Sequence, residues 1–305
     1  MGSTAPVLAI VGATAAGKSA LALDLAERLR GEIINTDSMQ IYRGMDIGTA
    51  KLPVDQRRGI PHHLLDLLDP NEPVTVAEFQ QWARKVIADC HERGVLPVLV
   101  GGSALYTRAI LDRFEFPGTD PGIRAKWETR LEQEGAAALH ARLRELDPAA
   151  AAEVLPGNAR RIVRALEVIE LTGKSFTATL PTHDYHYPGA VQIGVDIERR
   201  VLDQRIAARV HQMWADGFVA EVTGLLPHGL AGSRTASRAL GYRQILQYLA
   251  GEITEDEARE QTISGTKRFA RRQDSWFRKD PRVSWLPHDE PDRVNRALSL
   301  LGQLA

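Results

Sequence analysis

Gly12, Gly17, Lys18 and Ser19 stand in the spacing G-x-x-x-x-G-K-S, within GATAAGKS. Those residue types at that spacing suit a bound di- or triphosphate. Glycines let successive backbone amides wrap an anion, and the start of a helix adds partial positive charge. Lys18 can reach the terminal phosphates, and the Ser19 hydroxyl can sit on Mg²⁺. The full cradle is Gly12, Ala13, Thr14, Ala15, Ala16, Gly17, Lys18 and Ser19. It binds phosphate without saying whether a phosphoryl group moves. A second chemistry-bearing stretch follows at NTDSMQIYRGMDIGTAK, residues 35–51. It has neither helical stripe nor strand alternation, and it sets an acid, Asp37, among amides, hydroxyls, glycines and basic groups.

The elements around these groups must bring them together. The apolar run Val7 to Val11 predicts a buried parallel strand, and ALALDLAERL after the loop predicts a helix ended by Gly31. EIINTD gives a second strand, and VLPVLV at 95–100 gives a third, ending in Gly101-Gly102-Ser103. Thr75-x-x-Glu78 is a capping box for a helix running to about His91, with Gly94 as its stop. Strands alternating with helices predict a doubly wound parallel sheet, in which ligands gather beyond the carboxyl ends of the strands. The cradle, Asp37 and Ser103 should then surround one crevice.

Residues 52–74 read as a Pro-interrupted loop. His62 and His63 would point to opposite sides of an extended segment, which favours packing or hydrogen bonding over shared metal ligation. Cys90, near the end of its helix, reads as structural. From 119 to 180 the chain is rich in Ala, Arg and Glu and reads as consecutive helices, starting at Asp120-Pro121 and Asp147-Pro148 and after Pro156-Gly157-Asn158. The expected organisation is an α/β core (1–118), an all-helical insertion domain (119–187) and the second part of the core (188–305). A strand at 191–197 reopens the core, and the chain then returns to helices, broken near 227–233. A second capping box, Thr254-x-x-Glu257, opens a helix reaching Trp276.

Composition narrows the class. With 38 basic and 39 acidic residues among 305, bulk charge announces no polyanion partner, so any nucleic-acid contact must rest on local patches. One cysteine excludes a disulfide framework and a multi-cysteine zinc module, and it fits a reducing cytoplasm. No apolar run approaches the roughly 20 residues that span a bilayer, and the start lacks a signal-peptide pattern. The expectation is a cytoplasmic protein, and nothing demands more than a monomer.

Local basic patches do exist. RFARRQDSWFRKDPR, 268–282, carries six basic residues interrupted by Trp276 and Phe277. Arginine interleaved with aromatics suits phosphate contact and base stacking on RNA, although a solvated helix face has the same look. Arg161 and Arg164, beside Arg160, share a helix face. Arg205 and Arg209 could grip an anion together or simply pair with Asp203 and Glu198. In RALGYR, 238–243, Arg238 and Arg243 bracket Gly241 and Tyr242.

In family order, GATAAGKS, TDSMQIYRGMDIGTAK, PHHLLD, VGGSALY, RRIVRALE, RALGYR and RRQDSWFR run from residue 12 to about 279. In these motifs the chain resembles the tRNA dimethylallyltransferases (tRNA isopentenyltransferases), with a P-loop NTPase-like core. Two positions depart from the family pattern. Ala13 stands where Pro is usual and Ser103 where Thr is usual, the serine keeping a hydroxyl for Mg²⁺ or substrate. A zinc-finger extension of the kind some eukaryotic members carry is absent, which suggests the bacterial type.

The resemblance implies transfer of a dimethylallyl group from dimethylallyl diphosphate to N6 of the adenosine just 3′ of the anticodon in tRNA. Asp37 would act as general base on the adenine amine, though an outer Mg²⁺ partner is the alternative for an acid at a strand end. Lys18, the loop amides, Ser19 with Mg²⁺ and Arg209 would stabilise the departing diphosphate. The adenosine would leave its stack to react. Ser38, Met39 and Gln40 would read its edge. Ser103, Arg124, Arg160, Arg161, Arg164, Arg238, Gly241, Tyr242, Arg243, Arg271, Arg272, Gln273, Trp276 and Arg278 would contact the tRNA, with the insertion clasping the anticodon stem.

Two other classes share the phosphate loop. A small-molecule or nucleoside kinase is the runner-up, although the third strand ends in Gly-Gly-Ser with no acid and no compact Arg-rich lid is evident. An RNA-binding NTPase switch would need an acidic strand end to position water and a γ-phosphate-sensing loop.

Overall fold

A computed structural model describes residues 6–113, 116–176 and 183–302. In chain order the first elements are β1 (Val7–Val11), α1 (Lys18–Leu29), β2 (Gly31–Asn35), β3 (His62–His63), α2 (Val76–Glu92), β4 (Leu96–Val100) and α3 (Ala104–Leu111). Then come α4 (Pro121–Leu146), α5 (Pro148–Glu153), α6 (Ala159–Thr172) and β5 (Ala190–Asp196). The last are α7 (Arg199–Ala215), α8 (Phe218–Leu225), α9 (Tyr242–Leu249), α10 (Glu255–Phe277), β6 (Val283–Pro287) and α11 (Arg293–Gly302).

The chain folds as two compact units, Met1–Leu111 with Tyr185–Ala305, and Asp112–Asp184. The first holds a six-stranded sheet of order β3-β2-β4-β1-β5-β6, parallel throughout. β1 lies between β4 and β5, and its five residues are buried because both faces of the sheet are covered. Alternation along β1 shows the double winding. Val7, Ala9 and Val11 pack in one cluster with Phe79, Ala83 and Ile87 of α2. Leu8 and Ile10 pack in another with Leu21 and Leu25 of α1 and Ala297 of α11. Both capping boxes are formed: Glu78 and Glu257 each donate a backbone N–H to the threonine hydroxyl at 3.2 Å.

The two edge strands correct the expectation of loop over 52–74 and of a return to helices, broken near 227–233, after 197. β3 is two residues long and β6 carries Pro287 with no alternation, so neither gives a strand signal of its own. Each becomes a strand by lying against a neighbour, β2 and β5 respectively.

The second unit is helical as described. Asp120 caps α4, Asp147 caps α5 and Asn158 caps α6, each through its side chain. Gly135 breaks α4 with φ 81°. Trp127, Leu139, Leu143, Ile162 and Leu166 form its core. The expected helical stretch reaches to 180, and residues 177–182 lie outside the described residues. Among the described residues no helix is long and apolar enough to cross a membrane.

Within the first unit, the DIGTAK segment is held from its backbone. The carboxylate of Glu221, on α8, accepts the N–H groups of Asp46, Ile47 and Gly48 at 3.0, 2.6 and 3.2 Å. It also accepts the Tyr242 hydroxyl at 2.6 Å. Gly48 passes so close that a Cβ there would lie 2.2 Å from Phe218 and 2.5 Å from Tyr242. Those two rings stack edge-on at 4.9 Å, so neither has room to retreat. Gly48→Ala should therefore cost about 1–3 kcal/mol of stability, read as a lower denaturant midpoint with an unchanged slope.

Candidate active site

Beyond the carboxyl ends of β1, β2 and β4 the first unit opens into a cleft of about 530 Å³. Thr14 and Ala15 of the phosphate loop, Asp37, Ser38 and Met39 from the end of β2, and Ser103 from the end of β4 all line it. The loop takes its shape from positive φ angles at Gly12 (130°), Ala15 (63°) and Gly17 (103°), and α1 starts directly at Lys18. Lys18 Nζ donates to the Ala13 carbonyl at 2.7 Å. Ser19 is exposed on the first turn of α1, and no described residue bonds its hydroxyl.

Charge in the cleft is lopsided. Arg209, Arg238, Arg243, Arg268 and Arg272 line it, and Asp37 is the only acid among the described lining residues. Among the described residues none of these five arginines makes an ion pair with a carboxylate, whereas Arg43, Arg93, Arg124, Arg164 and Arg282 elsewhere all do. Unpaired guanidiniums around a concave site are what a polyanion needs. The intrahelical pairing that would have occupied Arg205 and Arg209 goes elsewhere. Asp203 pairs with Arg199 at 3.0 Å and Glu198 faces Arg200 at 3.8 Å.

Protein surrounds these groups, so a tip that still touches cleft water has lost most of its bulk solvation. Burial brings the Lys18 pKa down to about 8, against the pull of Asp37 and with the push of Arg209. Burial raises that of Asp37, which the N–H of Met39 and the charge of Lys18 offset in part. Partial desolvation by the cleft around Arg209, whose side chain stays exposed, and then the charge of Arg205 lower that of Arg209. Asp37 Oδ1 accepts the Met39 N–H at 2.9 Å, while Asn35 braces the Asp37 backbone from both sides, at 2.8 and 2.9 Å. No described residue bonds the second carboxylate oxygen, which is left for a ligand.

The other half of the cleft is apolar, and sequence reasoning missed it. Ile206, Val210 and Met213 of α7 and Phe218 of α8 line it. Spacing of i, i+4, i+7 on α7 is a readable signal, but the arginines interleaved with it draw attention to charge alone. Glu221 was missed as well, since nothing in sequence links it to residues 46–48.

Several of the residues expected to contact RNA are engaged within the protein. Tyr242 has no exposed surface and donates its hydroxyl to Glu221, so its ring props the loop, although it also borders the cleft. Gln273 is 5% exposed, with both ends of its amide bonded to protein. Gly241 lies ahead of α9 with φ 87°. Gln40 donates to the Thr49 carbonyl at 3.0 Å and lines a separate small pocket, which Ser19 also lines. Arg278 pairs with Asp196 and Asp274 and stacks 4.3 Å over Trp285. Arg271 faces Asp203 at 3.9 Å, and Trp276 stays 52% exposed beside Arg272 in a shallow neighbouring pocket. In the helical unit Arg124 and Arg164 both pair with the fully buried Glu167, at 2.7 and 3.0 Å. Arg161 lies 6.0 Å over Phe176, and Arg160 is exposed.

His62 bonds the Ile60 carbonyl and His63 bonds Glu32, the hydrogen-bonding roles expected of them. Glu32, His63 and Cys90 do bring three ligand atoms within 4.8 Å of one another. Arg93, however, holds both oxygens of Glu32 at 2.6 and 2.8 Å and brings its pKa down to about 2. Burial pushes the Cys90 thiol up to about 11. A cation would have to displace a guanidinium and ionise a buried thiol, so the cluster is an ion pair that ties β2 to α2.

The IPP transferase family model matches residues 40–280. The chain is 65% identical over 296 residues to the tRNA dimethylallyltransferase of a Nocardioides species, covering 97% of this chain and 96% of that one. With the Streptomyces coelicolor tRNA dimethylallyltransferase it shares 59% identity over 298 residues, 97% of this chain and 95% of the relative. The crystal structure of the full-length tRNA isopentenylpyrophosphate transferase from Bacillus halodurans superposes with a TM-score of 0.73 at 39% identity, covering 99% and 98% of the two chains. A eukaryotic dimethylallyltransferase crystallised acting on tRNA superposes at 0.84 with 26% identity, covering 97% of this chain and 77% of that one.

Proposed function

The chain belongs to the IPP transferase family, and from that premise we propose that it transfers a dimethylallyl group from dimethylallyl diphosphate to N6 of the adenosine 3′ of the anticodon in tRNA, giving N6-isopentenyladenosine. One observation carries the reading to this chain's own residues. Among the described residues, a phosphate loop and five arginines with no carboxylate partner converge on a cleft whose only acid is Asp37 and which has an apolar wall. A diphosphate suits the first, a nucleophile that must lose a proton the second, and a branched hydrocarbon the third.

The reaction forms the N6–C1 bond and breaks the C1–O bond to diphosphate. The electron pair of the breaking bond leaves with diphosphate, where the loop amides, Lys18 and Arg209 meet the growing charge. The adenine amine is a poor nucleophile because its lone pair is delocalised into the ring. Asp37, with one oxygen held by the Met39 N–H, accepts the N6 proton as the bond forms. Ser38, Met39 and Ser103 line the same cleft and fix the pose of the base. The free, exposed hydroxyl of Ser19 suits a hard divalent cation. With Mg²⁺ bound there, the metal would neutralise diphosphate oxygens.

Similarity to tRNA dimethylallyltransferases over nearly the whole chain favours the transferase over a kinase, and the wall of Ile206, Val210, Met213 and Phe218 suits a hydrocarbon. The test uses purified protein, Mg²⁺ and unmodified tRNA, with dimethylallyl diphosphate or with ATP, and mass spectrometry of the digested nucleosides. Adenosine heavier by one dimethylallyl group, only with the diphosphate, supports the transferase. ATP consumption without that product overturns it.

RNA binding is assigned to Arg160 and Arg161 of the helical unit and to Arg238, Arg243, Arg268, Arg271, Arg272 and Trp276, with Arg124 and Arg164 shaping the surface through Glu167. Arg272 is exposed, lines the cleft and has no carboxylate partner among the described residues. Arg272→Ala should weaken tRNA binding and reduce the slope of log K against log salt by about 1, sparing inorganic diphosphate. An unchanged slope returns Arg272 to the solvated face.

A further inference from the structure

Gln273 joins three parts of the molecule through one amide. Its Oε1 accepts the backbone N–H of Thr14 at 2.8 Å, and its Nε2 donates to the carbonyl of Gly102 at 2.8 Å. Thr14 offers only a donor there and Gly102 only an acceptor, so a single orientation of the amide satisfies both. The contact has no slack, since a Cβ on Gly102 would come within 2.2 Å of Nε2. Gln273 thus pins the phosphate loop to the tip of β4 from α10, one residue after Arg272 and three before the exposed Trp276.

The consequence falls on the diphosphate. Thr14 would be expected to turn its N–H inward with the other amides of the loop, but Gln273 holds it. Lys18 holds the neighbouring Ala13 carbonyl. The first half of the loop is therefore fixed by side chains, the Ala16 N–H donates to the Ala13 carbonyl at 3.3 Å, and the amides of Ala15, Gly17, Lys18 and Ser19 are left to face an anion. We infer that Gln273 is a positioning residue that sets the shape of the diphosphate cradle from the helix whose Arg272 and Trp276 are assigned to tRNA. The inference rests on the proposed function only in taking the cradle's anion to be a diphosphate.

The experiment uses the full chain with Mg²⁺, titrated with inorganic diphosphate by calorimetry, beside steady-state kinetics with dimethylallyl diphosphate and tRNA. Gln273→Met keeps the length and removes both bonds. It should raise the diphosphate Kd and the KM for dimethylallyl diphosphate about tenfold or more, as loss of bonds to buried backbone groups does, with the KM for tRNA within twofold. Gln273→Glu keeps the acceptor for Thr14 and regains a donor for Gly102 only when protonated. Its diphosphate affinity should therefore recover as pH falls, beyond any trend in wild type, which a merely space-filling role would not produce.

A diphosphate Kd within twofold of wild type in Gln273→Met overturns the inference. So does an equal loss of tRNA affinity, or a wild-type pH trend in Gln273→Glu. If Gln273→Met fails to fold, the pH trend of Gln273→Glu decides alone. The two readings fail separately. Weakened diphosphate binding in a protein that prenylates no tRNA removes the function and keeps the clamp. Prenylation with diphosphate binding untouched by either variant does the reverse.

Discussion

Asp37→Ala should lower turnover by about 10²-fold or more, with tRNA affinity nearly unchanged. The position gives the reason. Asp37 is the only acid among the described residues lining the cleft, and the Met39 N–H engages just one of its oxygens. The other faces the space where an amine must shed its proton. Burial raises the pKa of Asp37 above that of an ordinary aspartate, with the Met39 N–H and Lys18 opposing. The base works only as carboxylate, so wild-type kcat should fall as pH drops through that raised value, and the acid limb should lie above the usual aspartate range. Asp37→Asn keeps the size and one acceptor but loses the charge, so it should be nearly as inactive as Asp37→Ala, and neither should retain the acid limb. Activity of either variant within a few-fold of wild type removes Asp37 as the base.

Much of this arrangement is legible from sequence because it depends on local chemistry. The glycines of the phosphate loop, the buried runs of β1, β2 and β4 and the two capping boxes each announce themselves within a few residues. The strand-end rule then sets Thr14, Asp37 and Ser103 near one another without any knowledge of the fold in space. What is illegible is tertiary. β3 and β6 are strands only because neighbours supply their partners. Gln273 sits in a basic, RNA-like string, RRQDSWFR, and its type fits base recognition as well as it fits a clamp. Only the fold, which brings Thr14 and Gly102 to its two ends, separates the two. Tyr242 is a similar case: flanked by arginine in sequence, it is carried into the core by the turn at Gly241. Arginine runs also conceal which guanidiniums are already paired. Arg278 and Arg272 are alike in sequence context, yet one faces two carboxylates and the other faces the cleft.

Lys18→Met should lower kcat/KM for dimethylallyl diphosphate by about 10²–10³-fold, leaving tRNA affinity within a few-fold. The ammonium belongs to the first residue of α1, close enough to Asp37 and Arg209 to feel both charges, and it donates to the Ala13 carbonyl. A leaving diphosphate gains charge in the transition state, so a preformed cation there is worth more at the top of the barrier than in the ground state. The wild-type enzyme carries its own test of this assignment. Burial lowers the Lys18 pKa from 10.5 to about 8. The charged form that binds diphosphate is therefore full below that pH and lost above it. The kcat/KM for dimethylallyl diphosphate, which reports the free enzyme, should decline as pH rises through about 8. The limb in kcat should lie higher, because bound diphosphate holds the proton on. Lys18→Met should lack the limb near 8. Lys18→Arg should restore little, since a planar guanidinium cannot replace a compact ammonium beside the Ala13 carbonyl. A Lys18→Met enzyme within about tenfold of wild type, or one that keeps the alkaline limb, would mean that the loop amides and Arg209 stabilise the leaving group without it.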